Sequence, residues 1–529
     1  MAWNRHVVVK AEADTRSESQ EDPSLPAGAA RRWPAVAVWA AGGLALTVLF
    51  VRISLSARVM SDGGSMALQS WDLLHGHLRL HGWQVSDLNC YFLEIPVIAL
   101  AEALFGLGDF AQHVASSLVY MLVTLVALAA AVTGSRGTAR AVRCGVALVV
   151  LVAPLFGGTG YLELEEPDHI GTAVFIIGAF ILIDRFSGGR FTTSVLLVLL
   201  TAAQFDDLTV RYVAVPAILV VCASRALAAR SFRSPDAMAV YAALASVPLS
   251  ALFARLWVRA GGFITPPLWQ GLTPAGTWIH HVRWTERSIR ALYGAYNVAN
   301  FVPGWKAYFG LVCLLAATAG LARVVLRWRH ASRIEQLMVV AIVCNIGTFL
   351  VSGFATEVNP HELALLLPCG AVLAARTLVP ARIRDAVTAY SAVTAATLVA
   401  ALALAFAAAR PNFPAEKAPL VAFLEAHHLT RGVSSYDEAA TATVLSHDQI
   451  QIRPVHVGYD SLSQYNFESN SLWYLPSQHT ADFAVANPRM KTPPGVFLRY
   501  FGKPVATYKV DEWTIMVYHK NLLRLLARS

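Results

Sequence analysis

Residues 112–133 read QHVASSLVYMLVTLVALAAAVT, without a single Asp, Glu, Lys or Arg, and they run into a connection that holds Arg136, Arg140 and Arg143. A helix rises about 1.5 Å per residue, so a run of this length covers the ~30 Å hydrocarbon core of a bilayer. Such a run is too long for an ordinary core helix. The same alternation of apolar run and arginine-rich connection recurs from about residue 33 to residue 408. Across the 529 residues, 56% are hydrophobic and only 14% are charged, against roughly a quarter charged in a soluble domain. A polytopic α-helical membrane protein is therefore expected.

The arginines set the expected topology. They cluster as Arg136, Arg140 and Arg143; Arg185 and Arg190; Arg225, Arg230 and Arg233; Arg323, Arg327, Arg329 and Arg333; and Arg376, Arg382 and Arg384, with Arg31 and Arg32 before the first span. Cytoplasmic connections carry the excess of Lys and Arg. Placing all of these inside predicts eleven transmembrane helices: 34–56, 112–133, 144–160, 170–184, 191–204, 209–224, 237–257, 306–326, 335–353, 361–378 and 386–408. Residues 1–32 then form a disordered cytoplasmic tail, 33–409 the transmembrane domain, and 410–529 an extracytoplasmic domain. The apolar segment 94–107 carries Glu94 and Glu102 and is expected to lie on the outer surface instead of crossing. The run 191–204 is the shortest span.

The net charge of +8 is topological on this reading, with no basic patch of interleaved aromatics to suggest nucleic acid. The six cysteines form no CxxC pair and leave the C-terminal domain without one, so neither a disulfide framework nor a zinc spacing is present. After Pro411 the pattern changes. Helix-like AEKAPLVAFLEAHH, EAATATVLS and PGVFLRYF alternate with strand-like GVSSYD, QIQIRPVHV, ADFAVAN, VATYKV and WTIMVYH, which predicts a small α/β layer. It has no phosphate-cradling glycine loop and no nucleophile elbow.

The connections on the side opposite the arginines are acidic. Asp62 follows the first span in RVMSDGGSMALQSWDLLHGH, where glycines let the backbone turn. A carboxylate there suits a general base; alternatively Ser61 or Asp62 caps the helix that follows. YLELEEPDH places Glu165, Glu166, Asp168 and His169 in one loop, and Glu166 with Asp168 suits a hard cation such as Mg²⁺ or Mn²⁺. The plainer reading is a solvated acidic loop. Asp206 and Asp207 either form a wall of the same site or pair with Arg211. His361, next to Glu362, either holds a lipid phosphate or starts a helix capped by Asn359. Arg283, Arg287 and Arg290 are candidates for phosphate contact, with a solvated helix face as the alternative. His75, His77 and His81 have HGH spacing, which on a helix turns neighbouring rings to different faces.

These features together resemble the GT-C superfamily of membrane glycosyltransferases. The likeness rests on the first-loop MSDGGSMAL with WDLLHGHL after it, on the acidic second loop LELEEPDH, and on LVAFLEAHHLTRGVSSYDEAATATVLSHDQIQIRPV. That last run looks like the C-terminal domains of actinobacterial proteins of this type. The resemblance implies a GT-C-like fold and sugar transfer from a polyprenyl-phosphate donor to a hydroxyl acceptor of the cell envelope, at the outer face of the plasma membrane. It implies that Asp62 engages the acceptor or a metal and that Glu166 and Asp168 are the second-loop acids. The second loop is ExD where that family has DxD, and no WWD-type signature is present. Substrate contacts are expected from Glu165, His169, Asp206, Asp207, Arg211, Arg283, Arg287 and His361. The competing readings are a lipid-linked sugar transporter, a phosphotransferase of the same geometry, and a non-catalytic scaffold with a partner-binding extracellular domain. The spans are nearly free of acids and show no internal repeat, which weighs against a transporter.

Overall fold

The computed structural model describes residues 33–526 apart from 157–163, 165–168, 186–187, 266–271, 296–303, 354–358, 384–385, 410–414, 416, 459–460 and 491. The chain divides into two compact units, 1–45 and 46–529. Of the first, the described residues belong to the start of one helix, α1 (Trp33–Ser54). In the second unit α2 (Ser61–Leu74) and α3 (Glu94–Phe105) fill the first long connection. Then come α4 (Asp109–Val132), α5 (Thr138–Val152), α6 (Thr172–Asp184), α7 (Arg190–Asp206), α8 (Thr209–Ala228) and α9 (Pro235–Arg259). After α10 (Trp278–Leu292) follow α11 (Gly304–Leu326), α12 (Arg333–Val351), α13 (Leu366–Leu378) and α14 (Ala386–Ala408).

Every expected span is thus helical over most of its described residues, with non-helical ends or breaks at 55–56, 133, 170–171, 352–353 and 364–365. Among the described residues, seven stretches are long and apolar enough to cross a membrane: α4, α5 with its 3₁₀ extension, α8, α9, most of α11, α12, and α13 with the turn before it. Parts of α1 and α14 and the whole of α6 are shorter apolar helices, and α7 has 17 residues. Along these helices Val198, Val220, Leu244, Val312 and Val343 are exposed, where a water-facing helix would carry charge. The inner faces pack on one large apolar cluster that includes Tyr120, Phe180, Ile218, Leu337 and Leu367.

At the end of the bundle that carries the arginines, several are built into the structure. Arg376 donates to the carbonyls of Ala130 and Thr133 at the C-terminal end of α4 (3.1 and 2.7 Å) and pairs with Glu335 at 2.9 Å. Arg143 donates to Val379 O at 2.9 Å, beyond the end of α13. Arg333 pairs with Asp236 at 3.1 Å and donates to Ile183 O. Carbonyls at a helix C-terminus have no partner within the helix, so these cations satisfy them and oppose the negative end of the helix dipole. Positive charge here does more than set topology.

The C-terminal part is a three-layer α/β arrangement. Its helices are α15 (Ala418–Ala426), α16 (Tyr436–Leu445) and α17 (Pro494–Phe501). A first short strand, β1 (Trp83–Gln84), lies in the long connection after α2. The others are β2 (Arg431–Ser434), β3 (Gln451–Val457), β4 (Leu462–Gln464), β5 (Ser469–Asn470), β6 (Phe483–Ala486), β7 (Ala506–Val510) and β8 (Trp513–Val517). Six strands form one sheet in the order β4-β3-β2-β6-β8-β7, parallel at β3-β2-β6 and antiparallel elsewhere. Alternation in FAVA turns Phe483 and Val485 to one face, under α15 and α16, and Ala484 and Ala486 to the other, under α17. The remaining pair, β1 with β5, is antiparallel and joins the first connection to the C-terminal layer. A further apolar cluster seals the same seam: Ala67 and Leu68 of α2, Trp83 and Val85, with Ala440 and Val444 of α16.

Candidate active site

The site is built on α2. Its N-cap is Met60, in extended conformation and without a side-chain cap, so neither Ser61 nor Asp62 caps it. Both lie in the first helical turn, where a carboxylate faces the positive end of the helix dipole. Gly63 and Gly64 are helical too and do not make the turn expected of them. At Gly64 a Cβ would stand 3.1 Å from Thr441 N and 3.2 Å from Ala440 C, so glycine lets α16 approach α2 backbone to backbone.

That approach brings the C-terminal layer onto Asp62. Tyr436 Oη donates to Asp62 Oδ1 at 2.6 Å, and Ser61 Oγ donates to Asp437 Oδ1 at 3.1 Å. The Tyr436 ring stacks on Tyr465 with centroids 5.0 Å apart at 18°. One turn along α2, Ser65 Oγ donates to the backbone carbonyl of Glu468 at 2.8 Å and lies 3.1 Å from its Oε2. Gln69 Nε2 donates to the same Oε2 at 2.7 Å, and the Ser86 N–H donates to Oε1 at 2.9 Å. Asp62, Ser65 and Gln69 share one helix face by their spacing. Glu468 has positive φ, +47°, a conformation that its surroundings must hold in place.

Burial pushes the Glu468 carboxyl up to about 7, and the charge of Asp62 adds to the rise while the Ser86 and Ser65 hydrogen bonds oppose it. Tyr436 is pushed far above its ordinary value by burial, and by Asp62 and Glu468 beside it, so its hydroxyl stays a donor. The same causes push Tyr465 up to about 12. Behind α2, Glu102 of α3 accepts from Ser70 Oγ at 2.6 Å, and burial pushes it up to about 8. Glu94 and Glu102 are both buried while Leu100, Leu104 and Phe105 are exposed. The acids of α3 therefore face protein, and its outer face is apolar.

A second group centres on His169. Its Nδ1 lies 3.1 Å from Asp207 Oδ2 and its Nε2 3.8 Å from Glu362 Oε2. Thr172 Oγ1 donates to Asp207 Oδ2 at 2.5 Å, and the Thr209 N–H donates to Oδ1 at 2.7 Å. Burial raises the Asp207 carboxyl, but His169 and these hydrogen bonds outweigh it and hold it below its ordinary value. Asp206 Oδ1 accepts the Phe92 N–H at 2.6 Å. Residues 86–92 thus link the two groups: Ser86 holds Glu468, Leu88 bridges to Asp207, and Phe92 binds Asp206.

Neither Asp206 nor Asp207 pairs with Arg211; both are buried and turned to other protein groups. Arg211 Nε is buried and has no hydrogen-bond partner among the described residues. His361 opens a 3₁₀ turn, His361–Leu363, capped by Pro360 instead of Asn359. Arg283, Arg287 and Arg290 lie on the exposed face of α10, with Arg290 paired to Glu286 and Arg287 over the Trp284 ring at 5.4 Å. His75, His77 and His81 are exposed; His77 Nδ1 lies 3.7 Å from Asp72, and the other two bind backbone carbonyls. Glu165, Glu166 and Asp168 lie outside the described residues. Among the described residues no group of three or more His, Cys, Asp and Glu could hold a metal ion.

Tyr436, Tyr465 and Glu468 are site residues that sequence reasoning did not find. Each sits in an ordinary polar or aromatic stretch of a domain expected from the sequence only as a small α/β layer. Their signal is the contact with α2, which local pattern does not carry.

No model of a known protein family matches the chain, and no curated protein matches it. Solved structures do. ArnT from Cupriavidus metallidurans bound to undecaprenyl phosphate superposes with a TM-score of 0.54 at 14% identity, covering 93% of this chain and 99% of that one. The apo state of ArnT from the same organism gives a TM-score of 0.56 at 13% identity, covering 95% of this chain and all of that one. Over nearly its whole length, the chain has the fold of these ArnT structures, a polytopic membrane fold of the GT-C-like kind expected from the sequence.

Proposed function

We propose that the chain is an integral membrane glycosyltransferase that moves a sugar from a polyprenyl-phosphate-linked donor to a hydroxyl acceptor of the cell envelope. The arginine end of the bundle is then cytoplasmic, with the N-terminus, and the acidic end and the C-terminal layer lie outside. The observation that carries this is Asp62: a carboxylate in the first turn of α2, just after a membrane helix, held by Tyr436 and linked through residues 86–92 to His169 and Asp207. The fold it shares with a polyprenyl-phosphate-binding enzyme supports the donor class.

In this reading Asp62 takes the proton of the acceptor hydroxyl as that oxygen attacks the anomeric carbon. The bond from that carbon to the phosphate oxygen breaks, and polyprenyl phosphate leaves with the electron pair. The chemistry parallels inverting glycoside hydrolysis with an alcohol in place of water. Arg211, whose buried Nε meets no hydrogen-bond partner among the described residues, neutralises the leaving phosphate, with His361, Arg283 and Arg287 as further donors. His169, Asp206, Asp207 and Glu165 shape the wall on the second-loop side. A Mg²⁺ or Mn²⁺ ion held by Glu166 and Asp168 would add positive charge at the phosphate.

The test is consumption of radiolabelled polyprenyl-phosphate sugars by the purified full-length protein, with and without Mg²⁺ or Mn²⁺. Wild type turns over, Asp62→Ala does not, and the metal response disappears in Asp168→Ala. Should no donor be consumed while Asp62→Ala binds lipid as wild type does, the transporter or scaffold readings replace this one.

A further inference from the structure

We propose that Tyr436 and Glu468 of the C-terminal layer are positioning residues for Asp62, so that the carboxylate is competent only while that layer is docked on α2. This deepens the transferase reading and rests on it. Four contacts carry it, and all fall on the first nine residues of α2. Asp437 takes Ser61, Tyr436 holds Asp62, the α16 backbone closes on Gly64, and Glu468 takes Ser65 and Gln69. An inert cap would have little reason to bury a carboxylate against this helix. Burying an ionisable group costs free energy, and three apolar residues would seal the seam at less cost.

The chemistry of each contact is distinct. Tyr436 gives its proton to a hydrogen bond with Asp62 Oδ1, which fixes the carboxylate's rotamer and favours its charged form. Stacking on Tyr465 fixes the Tyr436 ring in turn. Glu468 locks the segment one turn further on and also reaches Ser86 of the connection that leads to Asp206 and Asp207. Its negative charge, when present, strengthens Asp62 as a base. Other titratable groups around this face are Asp437 and Glu438 of α16, Tyr465 between β4 and β5, and Glu102 behind α2. The nearby cations are Arg58, four residues before Asp62, and Lys417, which donates to Asp437 O and lies 3.8 Å from Glu438.

The test compares steady-state transfer by full-length wild type, Tyr436→Phe and Glu468→Gln over the pH range. Both substitutions keep side-chain volume, and thermal melting in detergent checks that each variant is folded. Tyr436→Phe is expected to lower kcat about tenfold with the donor KM unchanged, and to move the acid limb of the profile to higher pH, because the charged carboxylate has lost a donor. Wild type is expected to show a second rise near pH 7 as Glu468 ionises, and Glu468→Gln to lack it. Variants that melt as wild type does and keep its kcat and pH profile would overturn the inference. So would equal loss of kcat and stability with the pH profile unmoved, which marks a merely structural seam. If wild type itself shows no transfer, or Asp62→Ala retains it, the transferase reading fails first.

Discussion

Arg376 at one end of the bundle and Glu468 at the other are both charged side chains taken out of water, and their surroundings differ. Around Arg376 the cation meets Glu335 and two helix-terminal carbonyls, so charge and donors are matched. Around Glu468 there are donors but, among the described residues, no cation, and its strongest electrostatic neighbour is another acid, Asp62. A buried ion pair with its hydrogen bonds complete is a joint. A buried acid beside an acid costs stability, and such a cost is characteristic of functional sites. On the proposed reading the two ends of one fold divide labour: the arginine end holds the helices together, and the acidic end would hold the reactive groups.

That division can be broken experimentally. The largest expected effect is on chemistry: Asp62→Ala should lower transfer by about 10²–10⁴-fold, the usual range for a lost general base, with little change in melting temperature. Transfer assays and calorimetry on the same preparation check both halves. At the arginine end the signs exchange. Arg376→Ala should destabilise the fold by up to about 3–5 kcal/mol, since it leaves the partly buried Glu335 without its partner. The folded fraction should keep its specific activity, which thermal melts read alongside transfer rates.

A third prediction concerns pH. Glu468 has a folded value of about 7 against an ordinary 4.5, so the folded chain holds this proton more tightly than the unfolded chain does. Its contribution is complete below pH 4.5 and is lost as pH rises through about 7, a swing of about 3 kcal/mol. Glu468→Gln stays neutral and should lack that part of the pH dependence, so the difference between the two melting curves should change between about pH 4.5 and 7 and hold constant above that. The smallest effect is steric. Gly64→Leu forces a side chain against the α16 backbone and should cost about 1–3 kcal/mol. Limited proteolysis of the C-terminal layer should become faster while the arginine end is unaffected.

Much of the fold was legible in the sequence because its signals are local. Apolar runs such as 112–133 announce themselves by length, and the arginines between them punctuate the chain. Alternation in ADFAVAN and WTIMVYH marks strands without reference to anything distant. The site was legible only in part. Asp62 stands out because a carboxylate just after a membrane helix is costly unless used. Its partners do not stand out, because Tyr436 and Glu468 gain meaning only when α16 and β5 meet α2. The β1–β5 pairing rests on two-residue strands, too short for any periodicity to show. Gly64 misled for a related reason: glycine permits a turn and a close approach alike, and the neighbour that decides between them lies far along the chain.

The most direct test of the account is single-turnover transfer by wild type and Asp62→Asn, with affinity for the polyprenyl-phosphate sugar measured on the same samples. The account predicts that Asp62→Asn binds donor as wild type does and fails to transfer its sugar. Transfer by Asp62→Asn at the wild-type rate would contradict it, because the acidic end would then hold no base at this position.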